Sequence, residues 1–336
     1  VGLSADSIVR GEIQRGHDLA MQLLDLAQQI DTPVPLVIAH STLAGNHLLF
    51  GNQPLARQYF AHARRLYDPR QHHQEQAALF GPDYGVLTLC WGAHNLWCLG
   101  YPDQARQWSH EALTLAQELA HPFSQAMTMT YASMLHLWCS EIGAAQESAT
   151  AALAQATQHN ATYYQRWAAI LCAWIQAWHR PREDEIARLR QALADFRAID
   201  AGIRWPYYLS LLVQIHARAG QHEMGIAVLD EAQAASAITY DRWWDAELHR
   251  LRGDLLLAQG AAEHDVATAF QQALEVARSQ AAKSLELRAA TSLARLWQTQ
   301  GKQAAAHQML AEIYGWFSEG FDTPDLRDAC TLLDQL

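Results

Sequence analysis

Apolar and polar positions alternate with a helical period along most of this 336-residue chain, and no run shows the period-two alternation of a strand. Within that pattern one phrase returns about every 35 to 45 residues. A helix carrying a small residue is followed by a short turn often marked by Gly, then by a second helix spaced Ala-x3-[large or small]-x2-Ala. Leu99-Gly100-Tyr101-Pro102-Asp103-Gln104-Ala105, leading to Ala112, is the clearest copy. Others fall at Ala56, Phe60 and Ala63; at Ala145, Ala149 and Ala152; at Gly225, Leu229 and Ala232; at Val266, Phe270 and Ala273; and around Gly301, Ala306 and Leu310.

The spacing has a mechanical cause. Two antiparallel helices approach closely only where the facing residues are small, and larger neighbours then fill the gaps beside them. One such pair cannot bury its own apolar face, so pairs stack and the core grows in one dimension. This is a tetratricopeptide-like signature. It predicts an all-α, right-handed superhelical solenoid of tetratricopeptide-like helix pairs. A single domain over 1–336 is expected, with about eight repeats. Residues 1–33 read as the second helix of a truncated first unit, with Ala20, Leu24 and Ala27 in place before Pro33. Repeat two runs from Leu36 to Pro69, followed by an insertion near 70–84 with His72, His73 and the Gly81-Pro82-Asp83 turn. Thr323 before Pro324 reads as a helix cap with proline at the first helical position, so 324–335 should form a capping helix. The chain opens on Val1, directly in helical pattern, which points to a piece of a longer protein.

Charge narrows the partners. With 24 basic against 35 acidic residues the formal charge is −11, which disfavours nucleic acid, whose phosphates are bound through clustered Lys and Arg. Arg64-Arg65 and the His179-Arg180-Pro181-Arg182 turn read as solvated helix ends. The longest apolar run, Trp167 to Trp178, holds Gln176 and is too short for a membrane span. Cys90, Cys98, Cys139, Cys172 and Cys330 show no CxxC spacing and fit a reducing, cytoplasmic setting.

Placing each first helix in the repeat frame predicts the side chains of the concave groove. In the N-terminal half these are Ile38, Ser41, Leu48, Leu87, Cys90, His94, Trp97, Met127, Met134 and Leu137, an apolar and aromatic lining. In the C-terminal half they are Tyr207, Gln214, Arg218, Glu247, Arg250, Asp254, Arg288 and Arg295, a charged one. Such grooves hold peptides in helical solenoids, and an Arg there can fork two hydrogen bonds to a carboxylate. Trp97 and these eight form the candidate binding set. Two plainer readings stand beside it. Glu247, Arg250 and Asp254 can pair with one another on a wet helix face. The apolar half can be covered by the solenoid's own curvature or by a neighbouring domain.

No pattern calls for catalysis or a cofactor. Cys90, His94 and Cys98 share a stripe, but the outer two lie roughly 12 Å apart along the axis and cannot share a tetrahedral ion with bonds of about 2.3 Å. Gly315-Trp316-Phe317-Ser318-Glu319-Gly320 has the glycine spacing of a phosphate loop, yet Phe321 stands where lysine is required. His110-Glu111 lacks the second histidine of a zinc-protease helix, having Thr114 there. Trp167, Trp174 and Trp178, among 12 tryptophans, are explained as aromatics wedged between repeats, with stacking on a base or sugar as the alternative.

A more specific likeness lies in several phrases: Tyr67-Asp68-Pro69, Leu99-Gly100-Tyr101-Pro102-Asp103-Gln104-Ala105, His121-Pro122-Phe123-Ser124, Ala246-Glu247-Leu248-His249-Arg250-Leu251-Arg252-Gly253, Lys283-Ser284-Leu285-Glu286-Leu287-Arg288 and Glu319-Gly320-Phe321-Asp322-Thr323-Pro324-Asp325-Leu326. From residue 36 onward the chain resembles the C-terminal region of large bacterial regulators that carry a class III adenylate or guanylate cyclase and a signal-transduction ATPase ahead of the repeats. The resemblance implies a non-catalytic sensor or autoinhibitory arm. Its partners would be upstream cyclase and ATPase domains of the same chain or another protein or peptide, with a small effector as a further candidate. It transfers no catalytic residue. The alternatives are a structural oligomerisation scaffold, the effector arm of an ATPase transcription regulator, and a ligand receptor or enzyme built on the Trp-rich half.

Overall fold

The computed structural model describes residues 2–30, 32–70 and 81–336. Those residues form helices and no strand. The helices are α1 (Gly2–Val9), α2 (Ile13–Ala27), α3 (Pro33–Leu49), α4 (Gln53–Leu66), α5 (Tyr84–Cys98), α6 (Pro102–Glu118), α7 (Pro122–Trp138), α8 (Ile142–Gln158), α9 (Thr162–His179), α10 (Glu183–Arg197), α11 (Trp205–Arg218), α12 (His222–Thr239), α13 (Asp245–Ala258), α14 (Glu263–Ser279), α15 (Lys283–Thr299), α16 (Gln303–Tyr314) and α17 (Pro324–Gln335). Consecutive helices pack as antiparallel pairs, α1 with α2 through α15 with α16, and α17 closes against α15 and α16.

The small residues do what their spacing requires. Ala56, Ala63, Ala105, Ala112, Ala145, Ala149, Ala152, Ala232, Ala273 and Ala306 are all buried at helix crossings. In the first helix of a pair even one methyl is too much: a Cβ on Gly92 would lie 2.3 Å from the Trp108 ring, and one on Gly253 would lie 2.4 Å from Phe270. Asp83 begins α5 by accepting a hydrogen bond from the Val86 N–H at 3.0 Å. Most of the expected insertion, including His72 and His73, lies outside the described residues.

Two local features differ from the sequence reading. The first unit contains a first helix, α1, whose buried positions are Ser4, Ser7 and Ile8 while Leu3 faces solvent; an inverted pattern of that kind hides a helix from hydrophobic periodicity. Thr323 precedes α17 in extended conformation with proline behind it, but its hydroxyl donates to the Gly320 carbonyl at 2.7 Å and does not cap the helix.

The array then closes on itself. The Val9 carbonyl, at the end of α1, accepts hydrogen bonds from the N–H groups of Gly202 (2.7 Å) and Ile203 (3.1 Å). Leu49, at the end of α3, accepts from Arg242 (2.7 Å) and Trp243 (3.1 Å) in the same way. Trp97, near the end of α5, accepts from the Ser284 hydroxyl at 2.6 Å. Units one, two and three thus meet units six, seven and eight, so a superhelical turn takes about five units. Each contact satisfies helix-terminal carbonyls that have no partner within their own helix. The negative end of a first-turn helix meets the start of a second-turn helix, which is also the favourable dipole arrangement. Further along, the Glu319 carboxylate accepts from the N–H groups of Asp103 and Gln104, both at 3.0 Å.

Between the turns lies an aromatic core with a cation at its centre. Arg204 is fully buried. Its guanidinium carbon lies 4.8 Å from the centroid of Trp91, 5.3 Å from Tyr131, 5.6 Å from Trp167 and 5.4 Å from Trp243. Nη1 donates to His94 Nδ1 at 3.0 Å, so His94 is the tautomer that donates from Nε2 to the Tyr131 carbonyl, also 3.0 Å away. Burial, followed by the Arg204 charge, pushes the His94 pKa well below its ordinary value. The Arg204 N–H donates to the Asp241 carboxylate. Arg204 holds a left-handed backbone, φ 58°, which an Arg adopts only at a cost of about 1 to 2 kcal/mol. Several aromatic contacts and a buried backbone hydrogen bond offset that cost.

The closure shows in the surface area. The chain exposes 14085 Å², and a globular protein of its 37.6 kDa exposes about 13,800 Å². An open spiral would expose more. Among the described residues no helix is long and apolar enough to cross a membrane.

Removing the inter-turn cation is expected to cost more than removing its charge. Arg204→Ala should lower unfolding free energy by about 3 to 5 kcal/mol, through the cavity and the lost ring contacts. Arg204→Met should retain most of the packing and cost less. Urea unfolding of both variants measures the difference, and equal losses would contradict it. A second prediction concerns acid. His47 sits 5.3 Å from both the His17 and Tyr59 rings, and burial, then His17, lowers its pKa to about 4. The unfolded chain binds that proton below about pH 6.5 while the folded chain does not. The stability it contributes is therefore present above that pH and lost as pH falls toward 4. His47→Gln should take up one proton fewer on unfolding across that window, which lowers the slope of stability against pH; an unchanged slope would refute the assignment.

Candidate functional groove

The closure covers most of one of the two expected surfaces. In the first turn Ile38, Ser41, Leu48, Cys90, His94, Trp97, Met127, Met134 and Leu137 are buried and Leu87 is half-buried; Ser41 and Leu87 line a small apolar pocket of about 120 Å³, and Leu137 reaches the edge of the second-turn groove. Much of the aromatic portion is covered by Arg204, Tyr207, Trp243 and Trp244 of the second turn. The solenoid's own curvature supplies that cover. Trp97 accordingly leaves the candidate set. Its ring packs at 4.9 Å on Trp138 and 6.1 Å on Trp244, beneath the Arg288 guanidinium at 5.0 Å.

The second turn keeps a concave groove of about 610 Å³. Tyr207, Gln214, Arg218, Glu247, Arg250, Asp254, Arg288 and Arg295 all line it. They share it because each stands on the inward stripe of α11, α13 or α15, one or two turns apart. The groove's ends differ. Toward the inter-turn core the floor is formed by Tyr207, Trp244 and Glu247, all buried. The opposite rim, at the C-terminal ends of the same helices, carries the exposed groups.

Most of the charge in the groove is already matched. Arg250 donates from Nε to Glu247 at 2.9 Å and from Nη2 at 2.8 Å, and its Nη1 reaches Asp254. These three side chains therefore pair with one another, but around a buried carboxylate and not on a wet face. Burial alone would raise the Glu247 pKa; Arg250, with help from Arg288, outweighs it and holds the carboxyl below its ordinary value. Arg288 ties the groove to the rest of the fold: it donates from Nε to Asp325 of α17 at 2.7 Å and from Nη2 to the Trp138 carbonyl at 2.8 Å. Arg295 pairs with Asp328.

Arg218 differs. Its guanidinium carbon lies 3.9 Å above the Trp178 ring, which is stacked at 4.9 Å on Trp174. Trp178, Trp174, Asp325 and Asp328 are groove residues that sequence reasoning did not place there. Trp167 and Trp174 are wedged between repeats as expected, with the Trp174 indole N–H donating to the Leu211 carbonyl at 3.1 Å. Trp178 continues the same stripe of α9 out to the rim, and that spacing could have found it. Asp325 and Asp328, one turn apart on α17, answer Arg288 and Arg295.

Among the described residues no three His, Cys, Asp or Glu side chains converge as metal ligands. The groove holds matched ion pairs, aromatic walls and one unmatched arginine. That combination can recognise a ligand with apolar and charged groups in sequence.

No protein-family model matches the chain. It is 24% identical over 281 residues to an uncharacterized protein, R02095, of Rhizobium meliloti (strain 1021); the match covers 83% of this chain and 27% of that protein, so the chain spans about a quarter of its relative. Among solved structures it is similar to a Rap protein complexed with competence and sporulation factor, with a TM-score of 0.62 and 12% identity over 93% of this chain and 80% of that one. It is also similar to aspartyl phosphate phosphatase F from Bacillus subtilis, with a TM-score of 0.51 and 13% identity over 91% and 83% of the two chains. At these identities the likeness is one of fold, that of tetratricopeptide-like helical solenoids.

Proposed function

We propose that the chain is a non-catalytic protein-interaction and regulatory module whose second-turn groove takes an extended segment of a protein partner. The observation that carries this reading is the groove itself. It is concave, crosses successive first helices, and presents aromatic surface between fixed charges, as extended peptide sites in solenoids do. The Rap protein of similar fold was solved complexed with competence and sporulation factor, which supports a bound partner for this fold.

The finer proposal concerns context. The phrases around Ala246, Lys283 and Glu319 resemble cyclase and ATPase regulators, and the rhizobial relative extends far beyond the matched region. Both support a sensor arm within a longer signalling protein, in which occupancy of the groove alters the output of nucleotide-using domains.

The test uses the full-length natural gene product. Deleting the segment homologous to 36–336 should change its basal nucleotidyl cyclase or ATPase activity. Filling the groove with Gln214→Trp should abolish the response to the partner. Basal activity unchanged by the deletion, together with a partner response unchanged by Gln214→Trp, rejects regulation. A parent with no cyclase or ATPase domain rejects the finer reading alone.

A further inference from the structure

We propose that Arg218 and Trp178 form an anion subsite in the groove, which takes the side-chain carboxylate of an Asp or Glu in the bound segment beside a large apolar residue. The inference rests on the groove being a peptide site and names the chemistry of the peptide.

Charge matching within the groove singles out this position. Four arginines line it. Arg250 is matched by Glu247 and Asp254, Arg288 by Asp325, and Arg295 by Asp328. Among the described residues Arg218 has neither an ion pair nor a hydrogen bond, and its contact is the Trp178 ring face at 3.9 Å. Stacking fixes the plane of a guanidinium while leaving the N–H groups at its edge free. Two of those N–H groups lie parallel, the geometry that accepts a carboxylate bidentately. An anion arriving here displaces no internal partner. At Arg288 or Arg295 it would have to displace an aspartate.

The surroundings specify the neighbour of that anion. Trp174, Leu211, Leu251 and Leu255 line the groove next to the stack, giving an apolar wall on either side of α11. Arg218 stands in the middle of the row of lining helices, with α9 on one side and α13, α15 and α17 on the other. A chain laid along the groove passes Arg218 and continues. A side-chain carboxylate meets that geometry, and a chain terminus is not required.

Random dodecapeptides displayed on phage and fused through their C-termini present no terminal carboxylate, and selection on the intact chain tests the proposal directly. Enriched sequences should share an Asp or Glu beside Trp, Phe, Leu or Met. An amidated synthetic copy should bind, and changing its acid to the amide should weaken binding about tenfold. Arg218→Gln should cost the acidic peptide the same factor and the amide peptide nothing further. Arg218→Lys should fall between, keeping the charge without the fork. The substitution is at an exposed rim position, and unchanged circular dichroism confirms that each variant is folded. Enriched peptides that lack an acid, or an acidic peptide indifferent to Arg218→Gln, overturn the subsite while leaving the groove as a peptide site. Binding confined to peptides with a free C-terminal carboxylate overturns the side-chain source. Absence of any enrichment blocked by Gln214→Trp overturns the groove reading and the subsite together.

Discussion

A guanidinium in the middle of an aromatic core needs compensation from every side, and Arg204 receives it from four rings, an imidazole nitrogen and the Met134 thioether. The compensation comes from units three, four, five and seven, whereas Arg204 itself begins unit six. No neighbour-to-neighbour repeat contact could bring those groups together. Only a superhelix that returns on itself after about five units does so, and the backbone hydrogen bonds from Gly202 and Arg242 to helix ends of the first turn set that pitch. A solenoid is ordinarily held by interfaces between adjacent units. Here a long-range interface is added to them, and it converts a spiral into a closed body.

The location of the groove follows from that closure. Residues Trp91, His94, Trp97, Tyr131 and Trp138 would line an open concave face if the first turn stood alone; with the second turn in place they are core. The second turn keeps its groove. Its inner face stays open, and α17 supplies Asp325 and Asp328 to two of its arginines. Arg288 joins the two regions, since one guanidinium touches α17, the end of α7 and the Trp97 ring. A ligand that moves Arg288 therefore acts on the contact between the turns, which gives the groove a physical route to the rest of the molecule.

How much of this was legible in the sequence depended on the range of the interaction. Helix pairing was, because the small residues at Ala105 and Ala112 or Ala145 and Ala149 answer to helices next to them in the chain. The shared position of Tyr207, Gln214, Arg218, Glu247, Arg250, Asp254, Arg288 and Arg295 was legible for the same reason, as placement on an inward stripe is a property of one helix. Trp97 was misplaced because what buries it stands far away in sequence, and no local period records it. Arg204 carries no local signal of its role; its burial is set by residues from Trp91 to Trp243. The α1 helix was invisible because serines occupy its buried face, and Trp178 was missed because it shares a stripe with Trp167 and Trp174, which reads as packing between repeats.

The central claim is that the two turns are closed on one another, with the charged groove left open along the second. Small-angle X-ray scattering of the chain in dilute solution tests it most directly, because closure changes overall size more than it changes secondary structure. The closed form predicts a radius of gyration of about 20 Å, the value for a compact chain of this length. A radius above about 25 Å with undiminished helical circular dichroism would show an open spiral and contradict it.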